Sequence, residues 1–303
     1  MKRYHGFPRG FIPESIESGM PARYIGAHIP ASGGLAKALR RGKDIGCTAV
    51  QVFTSSPRQW KAVPPTTDMI AEFDRARTET GIDHIVTHDT YLVNLCAPDE
   101  EVRRKSFVSL VEELRRSADY GIPLVVSHMG SSAGQELPLA LGRTAQAALE
   151  VLAETPDSVT LLMETTAGQG SSLNFRFEQI AAILDFCKRP PRLQVCIDTC
   201  HLFAAGYDLR TPEAYEATFA EFDRIVGVGT IRAIHANDSK KGLGSRVDRH
   251  EHIGKGEIGR ECFRLLVNDP RFEEVPIVIE TPEEETMHEE NVRLLWSLVE
   301  PYE

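Results

Sequence analysis

Val159-Thr160-Leu161-Leu162-Met163-Glu164 is a short apolar run, rich in strand-forming residues, that stops on a carboxylate. A run this brief reads as a buried strand rather than a helix. Seven more of the kind flank it, at residues 24–28, 48–53, 83–88, 123–128, 194–198, 231–235 and 276–280. Successive runs start roughly 25 to 45 residues apart, the length of a strand, a loop and a helix in βαβ architecture. Helical periodicity fills the gaps, at residues 34–45, 69–80, 100–120, 139–153, 175–187, 212–226, 259–268 and 289–299. In 100–120, for example, Phe107, Leu110, Val111 and Leu114 share one face. Thr66-Thr67-Asp68 and Thr211-Pro212 mark helix starts. Eight alternations of strand and helix predict an α/β fold of the TIM type, a (β/α)₈ barrel, rather than an open doubly wound sheet.

A chain of 303 residues suffices for one such barrel. No Pro/Ser-rich linker divides it, so a single barrel domain is expected over residues 23–303, preceded by an N-terminal extension over 1–22. That extension carries Lys2, Arg3 and Arg9 but no apolar segment, which is unlike a signal peptide. No run approaches the roughly 18 apolar residues of a membrane span. Six thinly spread cysteines argue for a reducing, cytoplasmic setting. Cys196 and Cys200 lack a second cysteine pair, so no structural zinc knuckle is expected there. The net charge of −10 runs against the basic footprint of nucleic-acid binding. Distribution outweighs the total, however, and acidic metal ligands would be offset by their cations.

Seven of the eight runs end in a side chain able to bind metal: His28, His88, His128, Glu164, Asp198, His235 and Glu280. Any one of them is as readily a packed histidine or a capping carboxylate. Seven at the same end of successive strands point to a site, because the C-terminal mouth of this barrel is where active sites stand. Asp198-Thr199-Cys200-His201 adds His201 in the loop past the sixth strand, and Asp248-Arg249-His250 adds two more after the seventh. In an extended loop Asp248 and His250 project to the same side. Setting His28 aside, nine candidates remain. Mixed imidazole and carboxylate suits zinc better than magnesium, and nine exceed what one zinc uses. A cluster of two or three ions is a recurring solution for displacement at phosphorus, so phosphoester hydrolysis is expected.

Loops at the same mouth fit a nucleic-acid substrate. Arg58, in Thr54-Ser55-Ser56-Pro57-Arg58-Gln59-Trp60-Lys61, is placed for phosphate contact. Tyr91 and Leu92, in Asp89-Thr90-Tyr91-Leu92-Val93-Asn94, are candidate apolar wedges between bases. Trp60 reads more simply as local packing. Lys240, Lys241, Arg246 and Arg249 line the long seventh loop.

Taken together these motifs resemble the endonuclease IV (deoxyribonuclease IV) family of apurinic/apyrimidinic endonucleases. The resemblance rests on Tyr24-Ile25-Gly26-Ala27-His28, Arg58-Gln59-Trp60, His88-Asp89-Thr90-Tyr91-Leu92, Ala167-Gly168-Gln169-Gly170-Ser171, Cys196-Ile197-Asp198-Thr199-Cys200-His201, 203–210 and Ser245-Arg246-Val247-Asp248-Arg249-His250. It covers nearly the whole chain from Tyr24 onward. It implies a zinc-dependent DNA-repair enzyme that hydrolyses the phosphodiester bond 5′ to an abasic site, leaves a 3′-OH and trims blocked 3′ ends. Three zinc ions are implied, with manganese able to replace one. His88, His128 and Glu164 would hold the first; Glu164 would bridge to a second completed by Asp198, His235 and Glu280; His201, Asp248 and His250 would hold the third. Glu164 and Glu280 are the implied catalytic carboxylates, Glu280 orienting or activating the nucleophile. Arg58, Gln59, Tyr91 and Leu92 match the loops that enter duplex DNA and flip out the abasic nucleotide, an extrusion that costs least where a base is missing. A monomer acting on double-stranded DNA, with no membrane partner, is expected.

The chain departs from the family pattern at Thr87 and Met129, where proline is common, at Thr165 for an asparagine, and at Ala236 for a larger residue. No ligand is lost. His28 falls outside the implied ligand set and is assigned a supporting place behind it. His5, His84, His252 and His288 read as surface or packing residues. Two alternatives stand beside the nuclease. A sugar isomerase or epimerase of the same barrel superfamily would use Glu164, Asp198, His235 and Glu280 around one metal, but has no need of the other five ligands. A non-catalytic protein that binds damaged DNA would have little reason to retain costly buried carboxylates and histidines.

Overall fold

Side chains alternate between the two faces of a strand, so every second residue of a barrel strand points inward. Val86, Val126, Leu162, Cys196 and Ala233 form one fully buried cluster, while their neighbours Ile85, Val125, Leu161, Val195 and Ile234 belong to the larger core that the helices cover. The first set fills the barrel interior. Two residues further along the same strands come His88, His128, Glu164, Asp198 and His235. One face, one period and one end of the sheet therefore bring these five side chains together.

The computed structural model describes residues 23–301; the expected extension over 1–22 lies outside them. The barrel strands are β1 (Ile25–His28), β2 (Ala49–Val52), β3 (His84–His88), β4 (Leu124–Ser127), β5 (Thr160–Glu164), β6 (Leu193–Asp198), β7 (Ile231–His235) and, after a small hairpin of β8 (Asp238–Ser239) and β9 (His250–Glu251), β10 (Ile277–Ile279). They close in the order β1-β10-β7-β6-β5-β4-β3-β2. All neighbours are parallel, and closure pairs Ile25 with Ile277. The expected eight-stranded barrel is the fold. Gly26 shows how tight the wall is, since a Cβ there would lie 1.7 Å from the Ala49 carbonyl oxygen. His128 and Glu280 stand one residue past their strands, an ordinary end effect.

Outside lie α1 (Leu35–Asp44), α2 (Thr67–Thr80), α3 (Glu100–Asp119), α4 (Leu137–Ala153) and α5 (Phe177–Phe186). After β6 come α6 (Thr199–Ala205), α7 (Pro212–Ile225), α8 (Arg260–Asn268) and α9 (Glu284–Trp296). Thr66 and Thr211 cap α2 and α7 as expected, accepting from the amides of Met69 and Ala214. Besides the β8–β9 hairpin, which forms within the expected seventh loop, two segments differ from the sequence reading. Residues 199–205, expected as loop, form α6; Asp198 caps it by accepting from the His201 amide, and Gly206 ends it at φ 109°. Every residue of α6 is buried, so it has no polar face and no amphipathic period to read. Helix α9 begins at Glu284, five residues before the expected start.

Candidate metal centre and nucleic-acid interface

The nine candidate ligands fall into three groups, in each of which the ligand atoms lie within 4.8 Å of one another: His88, His128 and Glu164; Glu164, Asp198, His235 and Glu280; His201, Asp248 and His250. These are the groupings the resemblance implied, with Glu164 shared. Glu164 is fully buried. Its Oε2 lies 3.0 Å from His88 Nε2 and 2.9 Å from His128 Nε2, and its Oε1 lies 3.0 Å from His235 Nδ1. Glu280 Oε2 is 3.3 Å from the same His235 nitrogen. Asp248 reaches His250 Nε2 at 3.4 Å, and His250 Nε2 is 3.5 Å from Asp198. His88, His128, His201, Asp248, His250 and Glu280 line a cavity of about 300 Å³, along with His28, Phe53, Tyr91, Glu284 and His288.

Four of the five histidines are tied at their outer ring nitrogen to a fixed oxygen. His88 Nδ1 donates to the Asp89 carbonyl (2.9 Å), His201 Nδ1 to the Thr165 carbonyl (2.8 Å) and His250 Nδ1 to the Glu280 carbonyl (3.1 Å). His235 Nε2 donates to Gln51 Oε1 at 2.7 Å. Each neutral ring then turns its lone pair toward the carboxylates, the arrangement that second partners impose on metal-ligating histidines. Lone pair against carboxylate is repulsive unless a cation or a proton intervenes. The Nε2 atoms of His201 and His250 are buried without a hydrogen bond, although Asp248 Oδ2 lies 3.1 Å from the former, out of line for one. Orphaned, converging donors of this kind fit a metal site.

The proton equilibria agree. Burial alone would lower His88, but the hydrogen bond and charge of Glu164 outweigh it and raise the ring to about 9. His201 and His235 are raised in the same way, against burial, by Asp198 and Asp248 in one case and by Cys196, Glu280 and Glu164 in the other. Burial would raise Glu164, Asp248 and Glu280, yet the surrounding imidazoles hold all three below the usual carboxylate range. Without metal the cluster neutralises itself with protons, and cations would displace them. Asp198, Cys200 and His250 also approach one another, but burial pushes the Cys200 thiol up to about 12, away from the thiolate that binds metal.

Several residues that the sequence reading passed over hold this arrangement. Gln51, fully buried on β2, bonds His235, Glu280 and His28. Asn237 donates to Asp198 at 2.7 Å and accepts from the Glu280 amide at 2.7 Å. Asp89, which accepts from Ser127, is pushed up to about 7, chiefly by burial. His288, expected at the surface or in packing, is buried and stands on the cavity wall. His84 stacks on Tyr24, and His252 accepts from Asn291; His5 lies outside the described residues. At two of the departures from the family pattern a hydroxyl is satisfied within the wall: Thr165 Oγ1 accepts from the Asp198 amide, and Thr87 bonds Ser117.

The interface candidates stand above this floor. The Tyr91 amide and the Thr90 hydroxyl both donate to the Pro57 carbonyl, at 3.1 and 2.7 Å, which joins the β2 and β3 loops at the mouth. Tyr91 is 62% exposed and meets Phe53 edge to face; Leu92 and Trp60 are half-buried, and Arg58 and Gln59 are exposed. The β2 loop is rooted by Thr54, which donates to both oxygens of buried Glu113 at 2.8 Å and accepts from Arg116. Across the mouth, Arg246 lies over the Phe175 ring at 5.0 Å, and Lys240, Lys241 and Arg249 are exposed.

Fold and cluster first define a class: an α/β barrel whose working residues stand at the carboxyl ends of its strands. In keeping with this, the family model described as xylose isomerase-like TIM barrel matches residues 39–298. "Probable endonuclease 4" of Chloroflexus aggregans is 49% identical over 278 residues, 91% of this chain and 97% of that one. The crystal structure of endonuclease IV from Thermus thermophilus superposes with a TM-score of 0.81 at 35% identity, covering 91% of this chain and 98% of the other. The chain belongs to the endonuclease IV family. A 3-keto-D-glucoside 4-epimerase from E. coli, with a TM-score of 0.64 at 14% identity over 91% of this chain and 99% of its own, shares the fold alone.

Proposed function

We propose that this protein is a zinc-dependent apurinic/apyrimidinic endonuclease, with residues 23–303 as its catalytic domain. It cuts double-stranded DNA 5′ to an abasic site, leaves a 3′-OH and trims blocked 3′ ends. The observation that carries the reading is the convergence of nine ligand-type side chains in three groups sharing Glu164. His88, His128 and Glu164 would hold one ion, Glu164, Asp198, His235 and Glu280 a second, and His201, Asp248 and His250 a third; manganese is admitted at one of them. Bound zinc supplies Lewis-acid polarisation of the scissile phosphate and lowers the proton affinity of water.

The chain's own residues do the rest. Glu280, held as a carboxylate by the imidazoles around it, orients or activates the attacking water. Tyr91 and Leu92 enter the duplex beside the lesion, and Arg58 and Gln59 grip the strand. Extrusion costs least where the base is already gone, and this gives the selectivity. The five groups beyond Glu164, Asp198, His235 and Glu280 favour the nuclease over a one-metal sugar epimerase. A monomer suits an enzyme that bends and encloses duplex DNA. Six unpaired, buried cysteines support a reducing cytoplasm, and no helix among the described residues is long and apolar enough to cross a membrane.

The test is incision of a labelled duplex carrying one abasic-site analogue, before and after chelation and zinc restoration. Cleavage 5′ to the lesion, lost on stripping and regained with zinc, is expected. A fully zinc-loaded protein that leaves the duplex intact would overturn the reading and turn the search to sugars.

A further inference from the structure

Gln51 is fully buried beneath the cavity, and all its polar atoms are engaged. Its Nε2 lies 2.6 Å from Glu280 Oε1 and 3.0 Å from His28 Nδ1, and its Oε1 lies 2.7 Å from His235 Nε2. These contacts admit one orientation of the amide. Turned over, it would set a carbonyl oxygen 2.6 Å from a carboxylate oxygen, two acceptors with no proton between them. The amide NH₂ must therefore face Glu280 and His28, and the carbonyl must face His235.

Three consequences follow from that orientation. His235 carries a proton on Nε2 and turns Nδ1 toward Glu164 and Glu280. Glu280 has Oε1 occupied and only Oε2 left for the centre. His28 accepts on Nδ1, so its ring proton sits on Nε2, and a residue on the cavity wall becomes a donor to whatever occupies it. An apolar residue of similar length would fill the same space and fix none of these.

We infer that Gln51 is a positioning residue for the reaction, a buried amide that sets the tautomers of His235 and His28 and the rotamer of Glu280. This deepens the nuclease reading and rests on it for the identity of the substrate. Gln51 touches neither substrate nor reacting atoms; it acts through the three side chains it holds.

Gln51→Met keeps the volume and removes the amide. In the zinc-loaded protein this variant is expected to lose about 10- to 100-fold in kcat with KM unchanged, and to release one zinc at correspondingly lower chelator concentration. The ring ¹⁵N resonances of selectively labelled histidine supply a readout that packing would not move. His28 is expected as the Nε2–H tautomer in the wild type and as a tautomer mixture in Gln51→Met. His28 protonated on Nδ1 in the wild type, or wild-type kcat and zinc retention in the variant, would overturn the inference. If Gln51→Met does not fold, the wild-type tautomer decides alone. Zinc retention and tautomer need no DNA, so a wild-type protein that fails to cut the abasic duplex sinks the nuclease reading without touching this one.

Discussion

Glu164 and Tyr91 belong to the same mouth on opposite terms. Glu164 is fully buried at the end of β5, with three imidazoles within 3.0 Å. Tyr91 is 62% exposed at the tip of a loop, fixed through its backbone amide while its ring extends beyond the wall. The floor is a set of charges that cannot change position without leaving another charge unpaired in low dielectric. The rim, with Tyr91, Arg58 and Gln59 exposed, is a surface open to a large partner. Substitutions in the floor should therefore act on chemistry and metal, and those in the rim on DNA affinity.

The floor predicts the largest effect. Glu280→Gln keeps the shape and the bond from Gln51 but removes the basic oxygen. Its kcat on abasic duplex should fall by about 10² to 10⁴, the usual contribution of a positioned acid or base, with DNA affinity retained. Single-turnover cleavage and a binding titration on the same variant separate the two. Unchanged turnover would take Glu280 out of the mechanism and dissolve the contrast between floor and rim.

The floor also predicts how the metal-free protein responds to pH. An imidazole raised from its unfolded value of about 6.5 stabilises the fold fully below that value and loses the contribution as pH rises through its folded value. For His88 the folded value is about 9, so the loss falls between pH 6.5 and 9 and amounts to roughly 3 kcal/mol. Glu164, Asp248 and Glu280, held below their unfolded values, act in the other direction: their stabilisation is present above about pH 4.3 and is lost as pH falls. Thermal unfolding of chelated protein should thus weaken from pH 7 to 10. Zinc-loaded protein, whose imidazoles are already neutral, should not show that alkaline decline. Parallel curves would mean that the carboxylates do not hold protons on these rings.

At the rim the expected effect is smaller and of another kind. Tyr91→Ala should weaken binding to abasic duplex by roughly 1–3 kcal/mol, the worth of one aromatic contact to a base, and intact duplex should suffer less. Competition titrations with the two duplexes measure the difference. Equal loss on both would make Tyr91 a packing partner of Phe53.

Floor and rim also differ in what their sequence discloses. The strand-end ligands are legible because β-strands impose a period of two and the barrel gathers their ends, so Leu162 and Glu164 already imply which way each points. Gln51 obeys the same alternation, yet its place is not legible, because its apolar run continues to Phe53 and an amide does not announce metal chemistry. Asn237 follows β7 in irregular chain, where no period exists. Helix α6 is invisible for a related reason, since a segment buried on every side has no polar face to set the 3.6-residue rhythm. Arg58 and Tyr91 were readable as motif residues, but the Pro57 carbonyl that joins their loops is backbone, and any residue provides one.

Glu113 is a further residue whose place the sequence conceals, because a glutamate in α3 looks like part of a solvated helix face. It is 2% exposed, and Thr54 donates to both its oxygens while Arg116 pairs with it. This root, beneath the β2 loop, is where floor and rim meet. Thr54→Val keeps the branched shape and deletes the hydroxyl, leaving the Glu113–Arg116 pair intact and costing about 1 kcal/mol for the lost hydrogen bonds. If the root only stabilises the fold, that loss appears in thermal unfolding and nowhere else. If it holds the loop of Arg58 and Gln59 in register, KM for abasic duplex should rise several-fold while kcat and zinc content stay at wild-type values. The second outcome is expected, because the β2 loop has Thr54 at one end and the Pro57 contact to Thr90 and Tyr91 near its middle. Releasing the first lets the segment between them pivot on the second.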